Sequence, residues 1–235
     1  MSLLPTETTK PRTEFTEFLT MIYGAPKVGK STFCSQLEKP LFLDTENGLK
    51  SLETFRVNIG SWEDFMAVCG ELTAAKGKLP YKTLVIDTID NLFGYCRDYV
   101  RKKLKIQHES DAAYGKGWDA VKSEFAPAMG FLKSLGLGIV YVSHGRNDKI
   151  ESRTGSYDRW MPTLAKQASE VLIPALDFIL FAEIVAGEKG DQRVIHTKPC
   201  QYWLAGDKTG RMPEDIPFTA KAFLDEYEKT KEQKK

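Results

Sequence analysis

The 235-residue chain predicts an α/β fold: a mostly parallel sheet, helices on both of its faces, and an antiparallel hairpin near the C-terminus. Three observations carry this. Short apolar runs at 18–23, 41–43, 83–86, 138–142 and 177–183 alternate with amphipathic stretches, the pattern of parallel strands joined by crossover helices. The first run leads into a glycine-bracketed loop, 24–31. Two others lead into carboxylates, at Asp44 and Glu46 and at Asp87, and open α/β sheets collect ligands at strand ends.

Taken in order, residues 1–13 are polar, hold Pro5 and Pro11 and show no periodicity, so they read as a flexible leader, or an arm that docks elsewhere, outside the folded domain, which then spans 14–235. After the first strand comes a helix over 31–38, closed by Pro40. Residues 62–76 space Trp62, Phe65, Met66, Val68 and Cys69 for one buried helical face. A long basic helix is predicted over 89–105, a loop over 106–117 and a helix over 118–135. Residues 145–163 are polar without apolar period and read as a long loop, of the kind that is functional or disordered in a compact domain. A helix near 164–175, a hairpin through 192–204 and a last helix near 218–230 complete the chain.

With 42% hydrophobic residues and a formal net charge of +1, the chain has enough apolar surface for a full core, and its overall charge does not single out nucleic acid. Cys34, Cys69, Cys96 and Cys200 form no CxxC pair, which argues against zinc and for reduced thiols. No apolar run approaches the ~20 residues of a membrane span. A soluble, cytoplasmic protein without a membrane partner is expected.

The loop Gly24-Ala25-Pro26-Lys27-Val28-Gly29-Lys30-Ser31 satisfies G-x-x-x-x-G-K-[ST], and Thr32 follows. A strand before it and a helix after it are the context that gives the pattern meaning. Glycines let backbone N–H groups turn inward toward phosphate oxygens, and the helix start adds its positive end. Lys30 is expected to reach the β- and γ-phosphates of ATP, and Ser31 to give its hydroxyl oxygen to Mg²⁺. Asp87, at the end of an apolar strand, is the second Mg²⁺ candidate; capping of the next helix is its alternative role. Thr88 follows where a glutamate would supply a base, so Glu46 at the neighbouring strand end is the candidate for orienting and deprotonating water. A turn before Asn47-Gly48 is the bland reading of Asp44 and Glu46.

Three strand ends thus align: the loop at 24–32, Leu43-Asp44-Thr45-Glu46, and Val85-Ile86-Asp87. Together they resemble RecA-type ATPases. Over roughly 16–220 the chain is similar to small phage-encoded RecA-like AAA-domain proteins, associated with recombination and single-strand annealing. Tyr114-Gly115-Lys116-Gly117-Trp118, Val142-Ser143-His144 and the segment 205–213 add to the likeness. The resemblance implies a RecA-like P-loop core with strand order 5-1-4-3-2 and a Mg-dependent, DNA-stimulated ATPase. It also implies a homo-oligomeric filament or ring, and a single-strand-binding protein as a further partner. His144 stands where recombinases carry a glutamine and would sense the nucleotide; a histidine merely satisfied at a strand end is the alternative. Lys208, with Arg211 second, matches the segment that completes a neighbouring subunit's site; solvated loop cations are the alternative.

Single-stranded DNA is the expected macromolecular partner, through Tyr114 and Lys116 in the first loop and Arg146, Lys149, Arg153 and Arg159 in the second. Cations mixed with aromatics suit phosphates and stacked bases. Trp118 and Trp160 serve equally as core or anchoring residues, and Asp148, Glu151 and Asp158 offset the second loop's charge. Two other function classes remain open from sequence: a P-loop kinase of a nucleotide or small metabolite, and a non-hydrolysing ATP-gated DNA-binding module.

Overall fold

Six parallel strands form the centre of the sheet in the computed structural model, which describes residues 6–8, 14–153, 155–187 and 190–232. They are β1 (Leu19–Gly24), β2 (Pro40–Asp44), β3 (Phe55–Asn58), β4 (Thr83–Asp87), β5 (Gly138–Ser152) and β7 (Phe178–Val185). Their spatial order is β7-β1-β5-β4-β2-β3, so the strand carrying the glycine loop lies inside the sheet, with β5 on one side and β7 on the other. Beyond β7 the sheet turns antiparallel through β8 (Gln192–His196) and β10 (Asp215–Pro217). The two-residue β9 (Gly206–Asp207) pairs with the start of β7.

Helices cover both faces because the central strands are apolar on both sides. On one face, α1 (Lys30–Ser35) and α6 (Ala220–Glu232), with the turn after α1, bury Phe33, Cys34, Leu37, Phe223 and Tyr227 against Ile22, Phe42, Val140 and Leu180. On the other, α2 (Trp62–Ala74), α3 (Ile89–Leu104), α4 (Lys116–Leu132) and α5 (Lys166–Leu172) bury Trp62, Phe65, Phe93, Phe125 and Leu172 against Met21, Leu43, Ile86 and Tyr141. No described helix is long and apolar enough to cross a membrane. The thiols of Cys34, Cys69 and Cys96 are buried and free, and burial pushes the latter two up to about 12.

Several expectations change. Residues 145–163 are not a loop: β5 runs on past the sheet and pairs with β6 (Gly155–Pro162) as an antiparallel ribbon. Apart from its base, where Trp160 packs on the core and Pro162 is buried, the ribbon is exposed or only half-buried, so it carries no apolar alternation. The antiparallel partner of β7 is β8, whereas 197–204 returns without a strand and stacks Trp203 on His196. β3 escaped detection because it is a four-residue edge strand exposed along its length, although Phe55 and Val57 alternate with polar residues. α1 begins at Lys30 and closes at Ser35, short of the predicted end at 38. α4 begins at Lys116 rather than 118 and tolerates Pro127 within it. Of the predicted leader, residues 1–5 and 9–13 lie outside the described residues.

Candidate functional site

At the C-terminal end of β1 the backbone of Gly24 passes against β7. A Cβ there would sit 2.1 Å from the carbonyl oxygen of Ala182, so only glycine allows the chain to leave the strand at this point. Gly29 takes φ +113° and starts α1. Between them the loop folds over Lys30, whose Nζ donates to the carbonyl oxygens of Gly24 and Ala25, 3.0 Å from each. Lys30 is buried, and desolvation lowers its pKa against the pull of Asp87 and Glu46.

Ser31 and Asp87 meet directly: Ser31 Oγ donates to Asp87 Oδ2 over 2.6 Å. Burial raises the Asp87 carboxyl above its ordinary value, and Glu46 and Asp44 add to the rise, while the Ser31 hydrogen bond opposes it. Thr88, joined to Asp87 by a cis peptide, donates from its N–H to Thr45 Oγ1 and from its own hydroxyl to Glu46 Oε1, 3.2 Å away. Glu46 also lies 2.8 Å from His144 Nε2. A carboxylate only accepts, so with Glu46 ionised the hydrogen of that bond sits on Nε2. The second ring nitrogen, Nδ1, is buried without a partner among the described residues. Asp44 accepts from the backbone N–H of Glu46 and Gly48 and fixes the turn that presents Glu46.

Lys30, Ser31, Glu46, Asp87 and His144 line one cleft of about 520 Å³ with Pro26, Lys27, Gly29, Thr32, Gly48, Ser51 and Leu52. The residues predicted at the ends of β1, β2, β4 and β5 therefore converge: Lys30 and Ser31, Glu46, Asp87 and His144. Ala25 and Val28 belong to the same loop, Val28 with its side chain in the core.

Asp90 was missed. Its carboxylate accepts from Ser143 Oγ, from the His144 N–H and from Thr163 Oγ1, which ties the base of the β5–β6 ribbon to the strand end that carries His144. Its signal was spacing: three residues past Asp87 on the first turn of α3, it faces the same strand ends.

Other predicted residues lie elsewhere. Lys208 follows β9, at the end of the sheet opposite the loop, where its Nζ donates to the carbonyl of Pro174 and lies 3.8 Å from Asp177. Within its own chain it does not meet the cleft. Arg211 is half-buried beside Met212, its Nε without a partner among the described residues. Arg146, Lys149, Arg153 and Arg159 all belong to the ribbon or its turn, but not to one surface. Cross-strand register puts Arg146 and Arg159 on one face with Asp148, Ile150 and Tyr157, and Lys149 on the other with Asp158. Arg146 is engaged by Asp148 at 2.9 Å. Trp160 stacks on Phe181 and anchors the ribbon to the domain. Tyr114 is 96% exposed and Lys116 is exposed beside it. Their segment is pinned from behind by buried Glu109: burial pushes its carboxyl up, but hydrogen bonds from Arg97 and Arg101 prevail and hold it at about 2. Trp118 lies against Arg97, 5.0 Å from the guanidinium carbon.

The raised Asp87 carboxyl gives a stability prediction. A carboxyl whose folded value is raised costs stability at neutral pH, and the cost is relieved as pH falls. Asp87→Asn removes that charge and is expected to raise the melting temperature of the nucleotide-free protein by about 2–4 °C, the change that ~1 kcal/mol makes at this size. The gain should shrink on acidification. Calorimetry at neutral and acidic pH checks both; a variant that melts lower at neutral pH counts against the assigned cost.

The donor set fits a nucleoside triphosphate with a divalent cation. A hydroxyl and one carboxylate are what Mg²⁺ takes from a protein when phosphates and water supply the rest, and among the described residues no group of three His, Cys, Asp or Glu forms an all-protein metal cage. Comparison with known proteins supports the nucleotide. A family model described as an AAA domain matches residues 17–209. The chain is also 30% identical over 132 residues to the SPbeta prophage-derived uncharacterized protein YorG of Bacillus subtilis (strain 168), a match covering 54% of this chain and 41% of the relative's length.

Proposed function

Because the chain belongs to the AAA domain family of P-loop proteins, we propose that it binds and hydrolyses ATP with Mg²⁺, and that it is a RecA-like protein acting on single-stranded DNA in phage recombination or annealing. The observation that carries the ATPase reading is the convergence of Lys30, Ser31–Asp87 and Glu46–His144 on one cleft.

Lys30, freed from the Gly24 and Ala25 carbonyls, binds the terminal phosphates. Ser31 and Asp87 hold the cation side of the site. When bound, Mg²⁺ neutralises charge on the β- and γ-phosphate oxygens. Glu46 Oε accepts a proton from the attacking water, and Thr88 and His144 hold that carboxylate in place by donating to it. His144 continues into the ribbon, and Asp90 holds both ends of that connection, so a shift of Glu46 on nucleotide binding is transmitted to β5.

DNA is assigned to the β5–β6 ribbon and to Tyr114 and Lys116. The ribbon face bearing Arg146, Arg159, Ile150 and Tyr157 combines cations with an aromatic ring. Lys208 and Arg211 are proposed to act on a neighbouring copy in a filament or ring, in the host cytoplasm. The prophage relative supports a phage setting. A kinase would need several arginines as a clamp over its substrate; Arg146, Arg153 and Arg159 lie along the β5–β6 ribbon and its turn and none lines the cleft, which favours the ATPase.

The test is ATP turnover with and without single-stranded DNA, with product analysis. Release of free phosphate that rises several-fold on adding DNA is expected. A phosphorylated acceptor would support the kinase reading instead, ATP binding without turnover the ATP-gated module, and turnover indifferent to DNA would remove the DNA assignment.

A further inference from the structure

A triphosphate in the cleft gives it a direction, and the assignment of its far end rests on that proposed function. The groups at the hydrolysed end, Glu46, Asp87 and His144, come from β2, β4 and β5, all on one side of β1. A nucleoside is attached at the opposite end of the triphosphate, and so leaves the loop past Gly29 and Thr32.

At that end the chain places an unexpected pair. A Cβ built on Gly29 would lie 3.3 Å from Phe218 Cε1 and 3.6 Å from Arg193 Nη1. Arg193 sits on β8, two residues before buried Ile195, and so projects on the sheet face that carries α1. It is exposed, and its guanidinium has no hydrogen-bond or ion-pair partner among the described residues. Arg97, Arg101 and Arg146 are engaged by carboxylates; Arg193 stands beside the phosphate loop and shares a surface pocket with Asp215 without forming an ion pair among the described residues. Phe218 stacks on Phe33 of α1, centroids 5.5 Å apart and planes within 13°. Leu52, on the cleft wall, packs against the same apolar cluster as Phe218. The two ends of the site therefore differ in chemistry. Carboxylates, imidazole and hydroxyls meet at one; apolar edges and a planar cation meet at the other. A flat nucleobase matches the second set, because a guanidinium stacks on an aromatic ring while apolar side chains shield the edge.

The geometry points to Arg193 and Phe218 as the nucleoside end of the site, with the Arg193 guanidinium stacked on the base. Arg193 is thus a residue that makes the protein take a nucleoside triphosphate rather than a bare polyphosphate.

Isothermal titration of the wild type, Arg193→Ala and Arg193→Lys with ATP and with inorganic tripolyphosphate, Mg²⁺ present throughout, tests this. Arg193→Ala is expected to weaken ATP binding about two- to fivefold, the size of one exposed cation–ring contact, and to leave tripolyphosphate unchanged. Arg193→Lys, which keeps the cation but not the plane, is expected to recover only part of that loss. Equal losses for both ligands would make Arg193 a phosphate contact and overturn the assignment. So would full ATP affinity in either variant, or a wild type that binds tripolyphosphate as tightly as ATP. A wild type that binds neither ligand would instead defeat the triphosphate reading itself.

Discussion

Lys30→Ala is expected to lower ATP turnover by about 10²-fold or more, the loss seen when one preorganised charge-stabilising donor is removed. The reason lies in what Lys30 does in the closed loop. Its Nζ bonds two carbonyls of its own loop, and its ammonium is buried at a cost that Asp87 and Glu46 only partly offset. A triphosphate provides what those carbonyls cannot, full negative charge, so the ammonium exchanges two neutral acceptors for ionised ones. Removing it takes away attraction that grows as charge moves onto the transferring phosphoryl group. The fold should survive, since a buried charge is lost rather than an apolar contact. Phosphate release and ATP titration, read beside a melting curve, check the three statements. Turnover near wild type in a folded Lys30→Ala protein would show that the cleft is not the hydrolytic site.

How much of the fold and site was legible depends on where each residue's constraint resides. The phosphate loop was readable because its demands are local: Gly24 must pass the Ala182 carbonyl, Gly29 must take a positive φ, and Lys30 and Ser31 sit at fixed spacing. The places of Asp87 and Glu46 at the cleft were readable because both follow the apolar runs of neighbouring strands, at the end where open α/β sheets collect ligands. Asp90 was not, because its partners, Ser143 and Thr163, are 53 and 73 residues away in sequence and only the neighbouring of β4 and β5 brings them together. Arg193 and Phe218 were hidden for the same reason: strands β8 and β10 reach the loop only through β7. The ribbon at 145–162 was read as a loop because pairing that leaves the core needs no apolar alternation, and the register that divides its cations between two faces exists only once the strands pair.

Glu46→Gln is expected to separate binding from hydrolysis. In the structure Glu46 receives hydrogen bonds from Thr88 and His144. Glutamine keeps one oxygen to accept them, so the turn fixed by Asp44 and the outline of the cleft should persist. What glutamine cannot do is take a proton from water. Loss of a positioned general base costs about 10²–10⁴-fold, so turnover should fall by that amount while ATP affinity changes little. The ATP-bound state of this variant should therefore be long-lived, and if the ribbon follows His144 its protection from proteolysis should persist as long as ATP stays bound. Single-turnover phosphate release with limited proteolysis of the same samples reads both. Hydrolysis at the wild-type rate would mean that some group other than Glu46 activates water. Slow hydrolysis with a ribbon equally sensitive in the presence and absence of ATP would leave Glu46 as the base but cut the link through Asp90 and His144 to β5.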